Sequence, residues 1–89
     1  MLRITKVTEN GTAVTLKLEG QIASAWVGEF ELECGRWLEQ QRCLHLDFRD
    51  VTFVDTRGRK ALARLRGVDV EIFNCPALIR ELLDEVPQG

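Results

Sequence analysis

Leu44-His45-Leu46-Asp47-Phe48-Arg49-Asp50-Val51-Thr52-Phe53-Val54-Asp55-Thr56-Arg57-Gly58 is the stretch on which the reading of the fold turns. Leu44, Leu46 and Phe48 alternate with His45 and Asp47, the period-two signature of a strand. Val51, Phe53 and Val54 carry the apolar signal on to Asp55, with a short bend expected at Arg49-Asp50. A helix then runs from Thr56 to Arg66, turning Ala61, Leu62 and Leu65 inward and stopping at Gly67. Two roles are open for the junction. In one, Thr56 caps the helix, Asp55 supports the turn and Gly58 lets helix and strand approach closely. In the other, the free N–H groups and the positive end of the helix dipole receive an anion such as phosphate.

Upstream, Val14, Leu16 and Leu18 alternate with Thr15, Lys17 and Glu19, and Leu2 to Val7 repeats the pattern more weakly. Asn10-Gly11 lies between them. Because that pair tolerates the positive φ angles of a tight turn, the first 19 residues read as a β-hairpin. The period then changes: Val27, Phe30, Cys34, Trp37, Leu38 and Gln41 recur at helical spacing, with Ser24 available as a cap. Downstream, Val68, Val70 and Ile72 form another strand. Asn74-Cys75-Pro76 opens a last helix whose buried stripe is Leu78, Ile79, Leu82, Leu83 and Val86, ended by Pro87 and Gly89. The order ββαβαβα calls for an α/β layer fold with a mixed four-stranded sheet and helices packed on it.

At 89 residues the chain is expected to form a single domain, residues 1–89, with too thin a core for a deep enclosed active site. Twelve basic against fourteen acidic side chains give a net charge of −2, which argues against nucleic acid as a partner. No apolar run exceeds three residues, so no membrane span or leader is expected and the chain reads as cytoplasmic. Cys34, Cys43 and Cys75 are odd in number and lack a C-x-x-C pair; they read as small core residues rather than a disulfide framework or metal site. Nothing calls for a cofactor. His45 is the only histidine, and if helices cover both faces of its strand it is a packing residue rather than a general base. Cys43 with His45 is not expected to act as a nucleophile–base pair. A non-enzyme is expected.

The quoted stretch resembles the signature of the STAS domain family, the anti-sigma-factor antagonists and the cytoplasmic domains of sulfate transporters. There a strand reading roughly l-D-l-x-x-V-x-f-x-D-[ST]-[ST]-G leads into a helix, and Asp47, Val51, Phe53, Asp55, Thr56 and Gly58 match it. Leu18-Glu19-Gly20-Gln21-Ile22 resembles the family's second strand and Gly-x-Leu turn, and Phe73-Asn74-Cys75-Pro76 its N-x-[SP] step. The likeness covers about residues 10 to 86 and implies the family's fold. It also implies a bacterial protein-binding role. The sequence departs from the pattern at Arg57, where the antagonists carry the serine or threonine that a partner kinase, itself the anti-sigma factor, phosphorylates. Arginine has no hydroxyl and stays cationic, so the usual phospho-switch cannot operate there. Ala23 stands where the family often has Asp, and the C-terminal end looks shorter than usual. Asp55-Thr56-x-Gly58 matches the variant found in the small STAS subunit of bacterial phospholipid-trafficking ABC transporters, which docks on an ATPase.

Charge adds a second feature. Arg57, Arg59, Lys60, Arg64 and Arg66 crowd the second helix without an acidic residue, whereas the first carries Glu29, Glu31, Glu33 and Glu39. Arg57, Lys60 and Arg64 share a face. Cations in a first turn oppose the helix dipole, so Asp50, Asp55 or a partner's acidic surface should compensate them. The expected partner-binding set is Asp55, Thr56, Arg57, Gly58, Arg59, Lys60 and Arg64, flanked by an exposed Trp26, with Thr56 itself a candidate for phosphorylation. Three functions compete: an antagonist-like regulator binding an anti-sigma-factor kinase, a transporter-associated subunit docking on an ATPase, and a nucleotide- or anion-binding module.

Overall fold

The computed structural model describes residues 1–65 and 69–84. Its elements run β1 (Leu2–Glu9), β2 (Ala13–Ile22), α1 (Trp26–Glu39), β3 (Cys43–Val54), α2 (Thr56–Leu65), β4 (Val70–Phe73) and α3 (Ala77–Asp84), the expected ββαβαβα order. Arg66, Gly67, Val68, Val86, Pro87 and Gly89, which the sequence reading placed at element ends, lie outside the described residues.

The four strands lie in the order β1-β2-β3-β4, with β1 antiparallel to β2 and the other pairs parallel. Stepping across the sheet in one direction through right-handed crossovers brings successive helices onto the same face. Side-chain burial follows from this. Val14, Leu16, Leu18, Leu44, Leu46 and Phe48 are buried against Val27, Phe30 and Cys34 of α1, Ala61 and Leu62 of α2, and Ile79 and Leu83 of α3, in one core. Thr15, Lys17, His45 and Asp47 alternate with the buried set and remain part-exposed on the other face. His45 is therefore not packed between layers. Its ring lies 3.6 Å from the Glu71 carboxylate and edge-on to Phe73, with the side chain 37% exposed.

Five local expectations are corrected. Asn10-Gly11 makes no positive-φ turn, because neither residue lies in that region. Instead the Asn10 side-chain oxygen accepts the backbone N–H groups of Thr12 and Ala13, each at 2.8 Å, so a side chain shapes the loop. Ser24 does not cap α1: Ala25 holds that position without a side-chain bond, and Ser24 itself adopts φ 53°. Gln41 is outside α1 rather than on its stripe, at φ 60°. There the N–H groups of Gln41 and Arg42 return to the carbonyls of Leu38 and Trp37, a Schellman ending made without glycine. Leu78 is 67% exposed, leaving Ile79 and Leu83 to anchor α3. Of the cysteines only Cys34 is core; Cys43 is exposed and Cys75 half-buried, and all three are free thiols.

The expected bend in β3 is a bulge. Lys17 pairs with Asp47 but Glu19 with Asp50, so β3 carries an extra residue at Phe48-Arg49, where the Asp47 carboxylate accepts the Arg49 N–H at 3.0 Å. A second shift follows between Gly20 and Gln21, opposite Thr52, whose hydroxyl donates to the Gly20 carbonyl at 3.1 Å. These shifts leave Phe53 44% exposed while Val54 stays buried.

Candidate functional site at the strand-to-helix junction

Asp55 organises the end of β3. Its Oδ1 accepts the Gly58 N–H at 2.7 Å and its carbonyl accepts the Arg59 N–H at 2.9 Å, the bonds of a helix N-cap. The cap of α2 is thus Asp55, and the expectation that Thr56 fills that position is corrected. Oδ2 accepts the Ser24 N–H at 2.9 Å, and the Asp55 N–H donates to the Ile22 carbonyl at 3.2 Å. One carboxylate therefore fastens the loop after β2 to the loop after β3. Its partial burial pushes the acid toward its neutral form, but the N–H groups of Gly58 and Ser24 and the Arg57 charge outweigh that and hold its pKa below the ordinary carboxylate value.

Gly58 seats the helix. A Cβ there would lie 2.3 Å from the Ile22 carbonyl oxygen and 2.9 Å from Val54 Cγ1. The close approach read from the sequence is present, and only a residue without a side chain permits it.

Around this frame the expected site residues divide. Thr56, Arg57 and Lys60 are exposed in the first turns of α2. Arg59 is half-buried: one guanidinium nitrogen donates to the Thr56 hydroxyl at 2.9 Å and another to the Leu82 carbonyl of α3 at 3.3 Å. It ties α2 to α3 rather than facing outward with the patch. Arg64 pairs with Glu31 of α1 at 2.6 Å, so its charge is balanced within the chain. Asp50 does not serve the patch; it pairs with Lys17 at 3.1 Å on the open face of the sheet. What faces outward at the junction is Thr56, Arg57 and Lys60, with no acidic residue in the first turn of α2.

Two aromatic side chains belong to the same end of the molecule. Trp26 opens α1 two residues after Ser24 and is 36% exposed; Phe53 lies opposite Gln21 just before the junction. Phe53 was not among the expected site residues. Its signal was the break in alternation at Val51-Thr52-Phe53-Val54, where a second bulge turns one apolar side chain out. All these groups gather at the carboxyl ends of the parallel strands β2 and β3, where open α/β sheets place their binding loops. Among the described residues, no cluster of His, Cys, Asp and Glu is placed to hold a metal ion, and no helix is long and apolar enough to cross a membrane.

A mixed sheet of this order, with a capped Asp-Thr-x-Gly junction opening its second helix, is the frame of a STAS domain. The STAS domain family model matches residues 4–86, and the chain belongs to that family. Among solved structures it is similar to the anti-sigma factor antagonist SpoIIAA in its unphosphorylated form. That match has a TM-score of 0.69 and 15% sequence identity and covers 96% of this chain and 84% of that one, a likeness of fold. No curated protein sequence matches the chain.

Proposed function

We propose that this STAS domain is a non-catalytic protein-interaction module of the anti-sigma-factor-antagonist kind, one that grips its partner at the β3–α2 junction and lacks the phosphoacceptor at Arg57. The observation that supports this reading is the outward set Thr56, Arg57 and Lys60 on a helix start fixed at both carboxylate oxygens of Asp55. Rigid placement of such groups lowers the entropy lost on docking. Arg57 and Lys60, three residues apart, suit an acidic partner surface.

The test is affinity capture from the native cell with wild type and R57E/K60E side by side, followed by association kinetics with the recovered protein. Charge reversal is expected to slow association about tenfold at low salt, with the effect shrinking as ionic strength rises. An unchanged association rate would discard the junction as the docking surface. R57S separates the partner classes, because only a kinase-type anti-sigma factor would phosphorylate the restored hydroxyl.

The transporter-subunit reading has one observation in its favour, the exposed Thr56 of the Asp-Thr-x-Gly variant, and capture of an ATPase with its permease would select it. The nucleotide- or anion-binding reading is disfavoured, because the Asp55 carboxylate already takes the Gly58 N–H that an anion would use. Thr56 is also proposed as a phosphoacceptor: Arg59 contacts its hydroxyl and Arg57 is adjacent, so the added negative charge would be stabilised. Mass spectrometry of native protein is expected to find phospho-Thr56. A Thr56 that stays unmodified, together with wild-type partner binding by T56A, would remove that proposal.

A further inference from the structure

On the flank of α1 away from α2, Leu2 and Ile4 of β1 form the floor of a groove of about 360 Å³. Its wall is Glu29, Leu32, Glu33 and Arg36 of α1. Leu32 is 74% exposed, the most exposed large apolar side chain among the described residues, and its presence on a helix that already buries Val27, Phe30 and Cys34 is unexplained by the core. Glu31, the residue that reaches Arg64, points to the other flank, so the groove is independent of the β3–α2 junction.

The charges beside Leu32 are arranged to match themselves. When two copies of α1 lie antiparallel about an axis between Leu32 and Glu33, Glu29 of each falls opposite Arg36 of the other, since each is equally far from that axis. Leu32 of each copy then lies at the axis, beside Leu32 and Glu33 of its mate. Self-complementarity of this kind is what a two-fold interface requires: the same strip must serve as both surfaces. Arg36 is free to serve it, being 67% exposed and only loosely paired with Glu33 at 3.7 Å. An acidic partner would meet Glu29 and Glu33, and a basic one would meet Arg36, whereas a second copy satisfies both signs.

We infer that the chain forms a two-fold homodimer through this groove, with Leu32 at its centre and reciprocal Glu29–Arg36 pairs at its ends. The dimer leaves both β3–α2 junctions uncovered on the outer flanks. It presents them as a bivalent pair, so a partner that is itself dimeric would be held by two contacts at once.

Sedimentation equilibrium over a range of protein concentrations tests the inference. Wild type is expected to show a reversible monomer–dimer equilibrium. L32E should shift it to monomer, with an unchanged circular-dichroism spectrum because the position is exposed. R36E and E29R should each weaken association about tenfold, and the double variant E29R/R36E, which swaps the charges, should restore it. A wild type that stays monomeric to millimolar concentration overturns the inference, as does a dimer that L32E leaves intact or a double variant no better than the single ones. None of these results bears on binding at the junction, which R57E/K60E reads separately.

Discussion

Replacing Gly58 by alanine adds one methyl group at the tightest point of the junction. The new Cβ would lie 2.3 Å from the Ile22 carbonyl oxygen, 2.9 Å from Val54 Cγ1 and 3.1 Å from Ile22 Cγ2. The first is a backbone atom and cannot swing away, so α2 must withdraw from the sheet. Overpacking of this kind costs about 1–3 kcal/mol. Withdrawal also stretches the bond from the Asp55 N–H to that same Ile22 carbonyl, at a further cost of about 1 kcal/mol. Alanine's better helix propensity returns about 1 kcal/mol, leaving a net loss of about 1–3 kcal/mol. Gly35 is the internal control. A Cβ there meets nothing within 4 Å, so the identical substitution in α1 should stabilise the protein by about 0.5–1 kcal/mol. Urea unfolding followed by circular dichroism reads both. With a slope of about 1 kcal/mol per molar for a chain this small, the G58A midpoint should fall by about 1–3 M and the G35A midpoint should rise. A G58A midpoint equal to or above wild type would refute the account of how α2 is seated.

Asp55 predicts a pH dependence. Its folded-state pKa is lowered, so its contribution is complete above the unfolded value of about 3.9 and is lost as pH falls through the folded one. D55A is therefore expected to be about 1 kcal/mol less stable than wild type at pH 7, with the gap closing below about pH 4; a gap independent of pH would contradict the carboxylate's role as cap. The thiols should separate by accessibility. Burial, reinforced by Glu33 and Glu31, pushes Cys34 up to about 12, so in native protein it should resist a disulfide reagent that modifies exposed Cys43 within minutes. C43S should remove the fast phase, and Cys34 labelling at the rate of Cys43 would mean that α1 is not seated as described.

The elements legible in the sequence were those whose cause is local. β2 and β3 announce themselves because one of their faces is wet and the other buried, so Val14-Leu16-Leu18 and Leu44-Leu46-Phe48 alternate strictly. That helices cover only one face of the sheet, leaving Thr15, Lys17, His45 and Asp47 part-exposed on the other, came from the strand order and its right-handed crossovers, and the reading of His45 as a residue packed between layers failed for that reason. What was misread depended on distant partners. Ser24 looks like a cap because its type and position suit one, yet its N–H is taken by Asp55, 31 residues further on. Thr56 looks like the cap of α2 until the Asp55 carboxylate, one position earlier, is seen to accept the Gly58 N–H. Arg59 and Arg64 read as members of a cationic face, but Leu82 and Glu31, which engage them, come from other elements and leave no mark near residues 57 to 66. Exposure of Phe53 rests on a register shift between strands, and its one trace in the sequence is the broken alternation at Val51-Thr52-Phe53-Val54.

Arg59 spans two parts of the molecule that have little else in common: with one arm it holds the Thr56 hydroxyl and with the other the Leu82 carbonyl. Any group that engages that hydroxyl competes for the same guanidinium, so it changes the fastening of the last helix without touching it. Amide exchange along α3 thereby becomes a remote gauge of occupancy at the opposite end of the strut.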